Sequence, residues 1–259
     1  MKIYYMSDLH KDINGDYIEK LKIPEDAEES ILLLAGDLHS KGRCATVADY
    51  FADFYKYVVW VYGNHSFYQI AMHETHKFLS NKTNVYHLEN QKIILDGISI
   101  VGCTLWHPIK TVDEFDWKYY LNDARYIRGR NFRKLDYRDI DDLYHRSIGY
   151  LANTQADILL THHGMHNNSI SPAYANAPTN KYYVTHRPDI LENFKFHVHG
   201  HVHSSFDYFV EHDNNRSTNV LTNPLGYCNF YKSMYESEPQ VQKENKQFNE
   251  LKYFEINKE

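Results

Sequence analysis

The chain has 259 residues, of which 42% are hydrophobic and 24% are charged, and its formal net charge is −6. This composition excludes an intrinsically disordered chain, and the charge balance gives no sign of the basic excess that is typical of nucleic-acid or membrane surfaces. The length suits one large layered domain with loop insertions better than two domains.

Three short apolar runs near the N-terminus predict buried strands. They cover residues 2–6, 31–35 and 58–62 and are rich in strand-forming side chains. A helix is predicted over residues 46–57, where apolar residues recur on one helical face. Strands separated by helix-length connections indicate β-α-β units in a parallel or mixed sheet.

The next segment predicts one helix and three short strands. The helix is expected over residues 66–80. The strands are expected at residues 85–87, 92–95 and 98–102, and the Asp-Gly pair between the last two is typical of a tight hairpin turn.

Two irregular stretches flank the following helix and strand. Residues 108–138 are charged and aromatic without clean periodicity, which predicts a surface insertion over the strand ends. A helix is expected at residues 140–153 and a buried strand at 157–160. The segment around 163–186 is rich in Asn, Ser, Pro and Tyr, and a loop of this length is usually functional.

The remainder of the chain predicts three strands, a linker and an edge strand. The strands lie at residues 194–198, 205–210 and 217–221, the last two forming a hairpin. Residues 232–248 are polar and predict a linker, and residues 251–256 predict a returning edge strand. The whole chain is therefore expected to form a single domain.

Carboxylate, amide and imidazole side chains directly follow five of the predicted strands. In chain order they are Asp8, His10, Asp37, Asn64, His65, His162, His201 and His203. Ligand sites in such sheets lie beyond the carboxyl ends of the strands. Because residues i and i+2 of an extended segment point the same way, Asp8 with His10, and His201 with His203, are expected to face one site.

Seven of these side chains, all except His65, are oxygen or nitrogen donors that suit divalent metal ions. Since no cysteine joins them, Mn²⁺, Fe²⁺ or Fe³⁺, or Zn²⁺ is favoured over a thiolate-bound metal. Seven donors exceed the needs of one tetrahedral ion and predict two ions that share a carboxylate. Two such ions about 3.5–4 Å apart can hold a hydroxide and promote displacement at phosphorus.

The order of these motifs resembles that of the calcineurin-like metallophosphoesterases. The blocks read SDLH, GDLH, GNHS, LLTHH and HGHVH, and they span residues 7–203. Five blocks in this order are a specific signal. The stretches GCTLWH, LNDARYIR and NPLGY further resemble an uncharacterised microbial and phage branch of that superfamily. The resemblance implies an α/β fold, a four-layer αββα sandwich of two mixed sheets flanked by helices.

The resemblance also implies roles for the motif residues. It divides the donors into two sets and one bridge: Asp8, His10 and His203, then Asn64, His162 and His201, with Asp37 shared. His65 would protonate the leaving oxygen, and a hydroxide between the two ions, with Mn²⁺ favoured, would attack phosphorus. One departure is Ser66, because many members carry an acid at this place and a serine orients the histidine only weakly.

Other residues are weaker candidates for substrate contact. The Arg125 guanidinium could bind a phosphate, and a surface salt bridge is an equal alternative. His163 could contact phosphate or orient a ligand, and a structural role is equally consistent. The aromatic cluster at residues 115–120 could stack a base, although packing within the insertion is the more common role.

These observations predict a metal-dependent phosphoesterase. A small soluble nucleotide-like phosphodiester or phosphomonoester is the expected substrate, because the net charge repels long polyanions. Two alternatives stay open: a nuclease acting on short or single-stranded nucleic acid, and a catalytically silent binding module on the same fold. A nucleic-acid partner is less favoured, and the sequence predicts no oligomeric state.

Cysteine use and the N-terminal sequence predict a cytoplasmic location. Cys44, Cys103 and Cys228 are widely spaced and form no C-x-x-C motif, as is typical of a reducing compartment. The first ten residues contain an aspartate and a histidine, unlike a signal peptide, and apolar runs such as residues 31–35 are too short to cross a bilayer. No membrane partner is expected.

Overall fold

The computed structural model describes residues 1–213, 215–231 and 240–257. In chain order the strands are β1 (Lys2–Met6), β2 (Ile31–Leu34), β3 (Tyr57–Trp60), β4 (Val85–His87), β5 (Gln91–Leu95), β6 (Ile98–Cys103), β7 (Ala156–Thr161), β8 (Phe194–His199), β9 (Phe206–Glu211), β10 (Ser217–Thr222), β11 (Cys228–Tyr231), β12 (Gln240–Lys243) and β13 (Tyr253–Glu255). The α-helices are α1 (Lys11–Asn14), α2 (Cys44–Phe51), α3 (Glu114–Tyr120), α4 (Asp123–Tyr126), α5 (Tyr137–Leu151) and α6 (Pro188–Leu191). The 3₁₀ helices are Gly15–Lys20, Ala27–Glu29, Asn64–Phe67, Met72–Phe78, Thr111–Asp113, Arg130–Phe132, Asn167–Ser169, Pro172–Tyr174 and Asn180–Tyr182.

Two mixed sheets form the centre of the fold. The first has the order β13-β1-β2-β3-β4, in which β1 to β4 are parallel and β13 is an antiparallel edge strand. The second has the order β5-β6-β7-β8-β10-β9, in which the four inner strands are parallel and both edge strands antiparallel. The predicted fold of two mixed sheets flanked by helices is confirmed.

An aliphatic core lies between the two sheets. Ile3 and Ile31 of the first sheet join Ile100 and Ile158 of the second in one fully buried cluster. Their sequence neighbours on the opposite faces of β1 and β2 join a second cluster with the helices. Burial of each aliphatic side chain contributes about 1.5–3 kcal/mol to the free energy of unfolding. This core therefore stabilises the packing of the two sheets and the positions of the loops that follow their strands.

The predicted helix over residues 66–80 is wrong as an α-helix. The segment instead contains the 3₁₀ helices Asn64–Phe67 and Met72–Phe78, separated by Gln69 at φ 62°. The backbone N–H groups of Gln69 and Met72 donate to carbonyls of Tyr126 and Arg128, each at 2.9 Å. Bonds to the 108–138 segment thus replace the bonds that an α-helix would make within itself.

The predicted linker over residues 232–248 is also wrong where it can be compared. Residues 240–243 form β12, which pairs with β11 in an antiparallel ribbon, while residues 232–239 lie outside the described residues. The alternating sequence QVQK is too polar to be distinguished from a linker by hydropathy. The ribbon of β11 and β12 is important below because two of its neighbouring residues reach the candidate site.

The segment around residues 108–138 contains α3 and α4 and adds to the core. Trp117 and Ile127 are fully buried, whereas Phe115 and Tyr119 on the outer side of α3 are 73% and 60% exposed. Among the residues described, no helix combines the length and apolarity that a bilayer crossing needs.

Candidate metal centre

The seven predicted donors lie together beyond the carboxyl ends of β1, β2, β3, β7 and β8. Three clusters of side chains bring their ligand atoms within 4.8 Å of one another inside each cluster. They are Asp8 with His10 and His203, His10 with Asp37 and His65, and Asp37 with His162 and His201. The first three strands belong to one sheet and the last two to the other. Packing of the two sheets therefore brings together residues nearly 200 positions apart.

The backbone at these donors is not extended, which corrects the expectation from the i, i+2 rule. Asp8 and His10 have φ of 53° and 42°, and His201 and His203 have φ of 69° and 46°. Asp37 has φ of 52°. Such left-handed conformations cost about 1–3 kcal/mol each and persist only where the surroundings enforce them. The donors thus converge through tight turns.

Two glycines allow the close approach of these turns. Gly36 has φ of 85°, and a Cβ there would lie 2.5 Å from Nδ1 of His162. At Gly63, a Cβ would overlap the carboxylate of Asp37. Any larger residue would push the donors apart.

His162 directs a nitrogen lone pair toward the site. Its Nδ1 lies 2.9 Å from the carbonyl oxygen of Ala35, to which it donates. The other ring nitrogen, Nε2, then faces two acceptors: Asn64 Oδ1 at 3.1 Å and Asp37 Oδ2 at 3.4 Å. Burial opposes a charge on His162, but the Asp37 carboxylate outweighs it and raises the pKa of His162 to about 9. A ring nitrogen with a lone pair and two acceptor oxygens repel one another unless a proton or a metal ion lies between them.

His203 repeats this arrangement on the other side of Asp37. Its Nδ1 donates to Glu244 Oε2 at 2.7 Å, and its Nε2 lies 3.3 Å from both Asp8 Oδ1 and His10 Nε2. Burial again opposes a charge, but hydrogen bonds to Asp8 and Glu244 outweigh it and raise the pKa of His203 to about 10. The backbone N–H of His201 donates to the same Asp8 carboxylate at 3.1 Å.

The donor set therefore fits divalent cations. Carboxylate, amide and imidazole lone pairs converge, and these are the ligands of Mn²⁺, Fe and Zn²⁺ rather than of soft thiolate-bound metals. The neighbouring thiol of Cys44 is directed instead at Ser66 Oγ, at 3.1 Å.

Comparison with known proteins identifies the family. A sequence profile of the calcineurin-like phosphoesterases matches residues 1–205. The chain belongs to this family. Family membership and the clustered ligands make it a metal-dependent phosphoesterase, as the sequence predicts.

Individual relatives of the phosphoesterase are distant. An uncharacterised protein of Acanthamoeba polyphaga mimivirus is 26% identical over 198 residues, which cover 67% of this chain and 69% of that protein. The phosphopantetheinyl hydrolase of Mycobacterium tuberculosis has a TM-score of 0.65 at 13% identity, over 87% of this chain and 89% of that chain. A hypothetical protein from Thermus thermophilus has a TM-score of 0.42 at 13% identity, over 90% and 79% of the chains. The mycobacterial similarity shows the fold.

His65 of the phosphoesterase is positioned by tyrosines rather than by Ser66. The hydroxyl of Ser66 accepts from the backbone N–H of Gly63 at 3.1 Å and does not contact the imidazole. Instead, Tyr227 Oη lies 3.3 Å from His65 Nε2, and the Tyr68 ring packs on the imidazole with centroids 4.2 Å apart. The backbone N–H of His65 also donates to Asp37 Oδ1 at 2.9 Å.

The predicted substrate-contact residues Arg125 and His163 do not line the cavity that opens beside this site, which is described below. Arg125 is exposed and donates to the carbonyl of Tyr119 at 2.7 Å. His163 is buried, its Nδ1 lies 3.3 Å from the Thr104 carbonyl, and its ring packs on His201 with centroids 4.3 Å apart. Burial lowers the pKa of His163, so the ring is neutral and supports His201 from behind.

Three residues of the site were missed by sequence reasoning. Asp123 accepts from Asn64 Nδ2 at 2.8 Å and thereby turns Oδ1 of this amide toward His162. Its motif, LNDARYIR, was recognised but pointed to Arg125 instead. Tyr227 ends the recognised NPLGY stretch, whereas Glu244 lies in the polar segment predicted as a linker and had no signal.

A cavity of about 370 Å³ opens beside these residues. Asp37, Asn64, His65, His201 and His203 line it. The end of α3 and the loop around residues 163–186 contribute further lining residues. A small molecule in the cavity would therefore contact four of the seven candidate ligands together with His65.

Proposed function

We propose that the protein hydrolyses a small, soluble, nucleotide-like phosphodiester or phosphomonoester at a centre of two divalent metal ions, with Mn²⁺ favoured. The observation that carries this proposal is the convergence of lone pairs at two places that share Asp37. Its Oδ2 lies 3.4 Å from His162 Nε2 and 3.9 Å from His10 Nε2. A carboxylate between two groups of donors supports a bridging role.

Three residues on each side of Asp37 would hold one ion: Asp8, His10 and His203 on one side, and Asn64, His162 and His201 on the other. When bound, such ions supply Lewis-acid activation of the phosphoryl group and make hydroxide available at neutral pH. The protein supplies ligands already oriented by bonds to Ala35, Glu244 and Asp123.

His65 would protonate the leaving oxygen. The imidazole lines the cavity, and the only hydrogen bond between His65 and Asp37 comes from the His65 backbone N–H, so Asp37 does not occupy the ring nitrogens needed for proton transfer. Burial raises the pKa of the Tyr227 phenol, which therefore stays protonated and can hydrogen-bond to His65 at neutral pH. This contact supplies the orientation that Ser66 does not.

The test is hydrolysis of p-nitrophenyl phosphate and bis-p-nitrophenyl phosphate with Mn²⁺, before and after chelation. Asp37→Ala should abolish activity, whereas Asp53→Ala, at an exposed position in the turn that follows α2, should not. Activity that survives chelation or the Asp37 substitution would refute the proposal. Cleavage of oligonucleotides alone would indicate a nuclease, and metal uptake without any turnover would indicate a silent binding module.

A further inference from the structure

The cavity beside the candidate centre is poor in positive charge. In the part of the chain that the structure describes, neither lysine nor arginine lines it. Besides the candidate ligands and His65, its ionisable acidic groups are the carboxylates of Asp123 and Glu244. Phosphate groups in a binding site are normally paired with cations or N–H donors. A second phosphate would meet carboxylates instead, so the cavity suits one phosphate on an otherwise uncharged molecule.

Tyrosine is the most frequent residue type in the lining of the same cavity. The lining tyrosines are Tyr68, Tyr120, Tyr174, Tyr182, Tyr183 and Tyr227. Three of them pack on histidine rings at centroid distances between 4.2 and 4.7 Å, and Tyr182 is 1% exposed. Tyr120 and Tyr174 differ, because they are 55% and 63% exposed. These two rings therefore have surface to offer a ligand.

The two exposed tyrosines reach the cavity from different segments. Tyr120 ends α3, and Tyr174 ends the 3₁₀ helix Pro172–Tyr174 in the long loop. Asn122 and Asn180 line the cavity with them, and Asn180 also fixes the loop because its Nδ2 donates to the Tyr174 carbonyl at 2.6 Å. Exposed aromatic rings beside uncharged amides match a nucleobase, which offers a π-face for stacking and polar edges for hydrogen bonds.

We propose that Tyr120 and Tyr174 bind the nucleobase of a nucleotide with a single phosphate, while that phosphate lies at the candidate metal centre. This inference rests on the proposed function for the place of the phosphate. It adds the two residues that bind the base and excludes nucleoside diphosphates and triphosphates as the preferred substrates.

A binding measurement tests this inference independently of catalysis. The methylene phosphonate analogue of adenosine monophosphate, whose C–P bond resists hydrolysis, is titrated calorimetrically into the full chain at fixed free Mn²⁺. The matching ribose phosphonate, without a base, should bind about tenfold or more weakly, the loss expected for one base stacked on aromatic side chains. The analogue with a second phosphate should bind no more tightly than the first.

Substitutions then locate the base. Tyr120→Ala and Tyr174→Ala should each weaken the nucleoside phosphonate and leave the ribose phosphonate unchanged, and Tyr174→Phe should keep the stacking. Tyr231→Ala is the matched control, because Tyr231 is 57% exposed and does not line the cavity. Thermal unfolding of each variant verifies that it is folded.

Two results would overturn the base site. One is equal binding of the nucleoside and ribose phosphonates, and the other is tighter binding of the analogue with two phosphates. The p-nitrophenyl assay on the same preparation identifies which proposal fails. If Mn²⁺-dependent hydrolysis persists, only the base site is refuted; if it is absent, the proposed function fails as well.

Discussion

The two sides of the candidate centre, one with His162 and the other with His203, differ in the group that accepts a hydrogen bond from this histidine. On one side, His162 is fully buried and donates to the main-chain carbonyl of Ala35. On the other, the His203 side chain is 20% exposed and donates to the Glu244 carboxylate. A backbone carbonyl at a strand end is available in any sequence with this fold, whereas Glu244 lies outside the family match at residues 1–205. The first side is therefore built into the sheets, and the second depends on a segment of this particular chain.

The largest effect is expected where the two sides meet. Asp37→Asn removes the negative charge that both sides share. The Mn²⁺ content should therefore fall below two ions per chain, and hydrolysis should be lost. His203→Ala, in contrast, should remove one ion and leave the other. Elemental analysis of dialysed protein measures this directly. Two ions retained in Asp37→Asn would contradict a shared carboxylate.

The next effect tests the dependence on Glu244. Glu244→Gln keeps the shape but removes the charge next to His203, so one Mn²⁺ should bind about 10- to 100-fold more weakly. Asp123→Asn should instead weaken the ion on the His162 side, because it disturbs the amide of Asn64. Calorimetric titration separates the two binding steps, and Glu250→Gln in the same C-terminal segment is the control. Equal weakening of both ions by both substitutions would show that the two sides are not independent.

A smaller effect should follow from the contact between Tyr227 and His65. Tyr227→Phe removes one hydrogen bond to the proposed acid, worth about 1 kcal/mol, and should slow hydrolysis about fivefold. The loss should be confined to esters with poor leaving groups, such as phenyl phosphate, and spare p-nitrophenyl phosphate. Both rates are measured with the Mn²⁺ affinity as a control. An equal loss on both esters would mean that Tyr227 acts on binding or packing rather than on protonation.

The smallest effect lies far from both sides of the centre. The Asp136 carboxylate caps α5, accepting from the backbone N–H of Arg138 at 3.0 Å, so Asp136→Ala should cost about 1 kcal/mol of unfolding free energy. Its hydrogen bond with the Arg138 side chain lowers the pKa of Asp136 from 3.8 to about 2. The stabilisation is therefore complete above about pH 5 and is lost as the pH falls through 3.8 toward 2. Urea unfolding at pH 7 and at pH 2 to 4 measures this difference.

This variant also serves as a stability control. Mn²⁺ binding and hydrolysis at neutral pH should match those of the unmodified chain. If they fall with stability, the losses expected at Asp37 and Glu244 could not be assigned to the centre.

The position of the donors could be read from the sequence because buried parallel strands have a simple pattern. Runs such as residues 31–35 are apolar throughout, so the first ionisable residue after the run, Asp37, marks the strand's carboxyl end. Five such ends carry metal-binding side chains, and the order of their motifs identified the family. Most strand bounds follow from the same apolar pattern, whereas the order of the strands within the two sheets is seen only in the structure.

The groups that orient the donors could not be read this way. Asp123 acts on Asn64 from 59 positions away, and Glu244 acts on His203 from 41 positions away. Neither residue belongs to a periodic pattern, and each is recognisable only by its distance from a ligand. The left-handed turns at Asp8 and His203 are equally hidden, because a positive φ is uncommon for any residue other than glycine and persists only where tertiary contacts enforce it. Local chemistry thus determined which groups could bind metal, while long-range packing decided how each group is aimed.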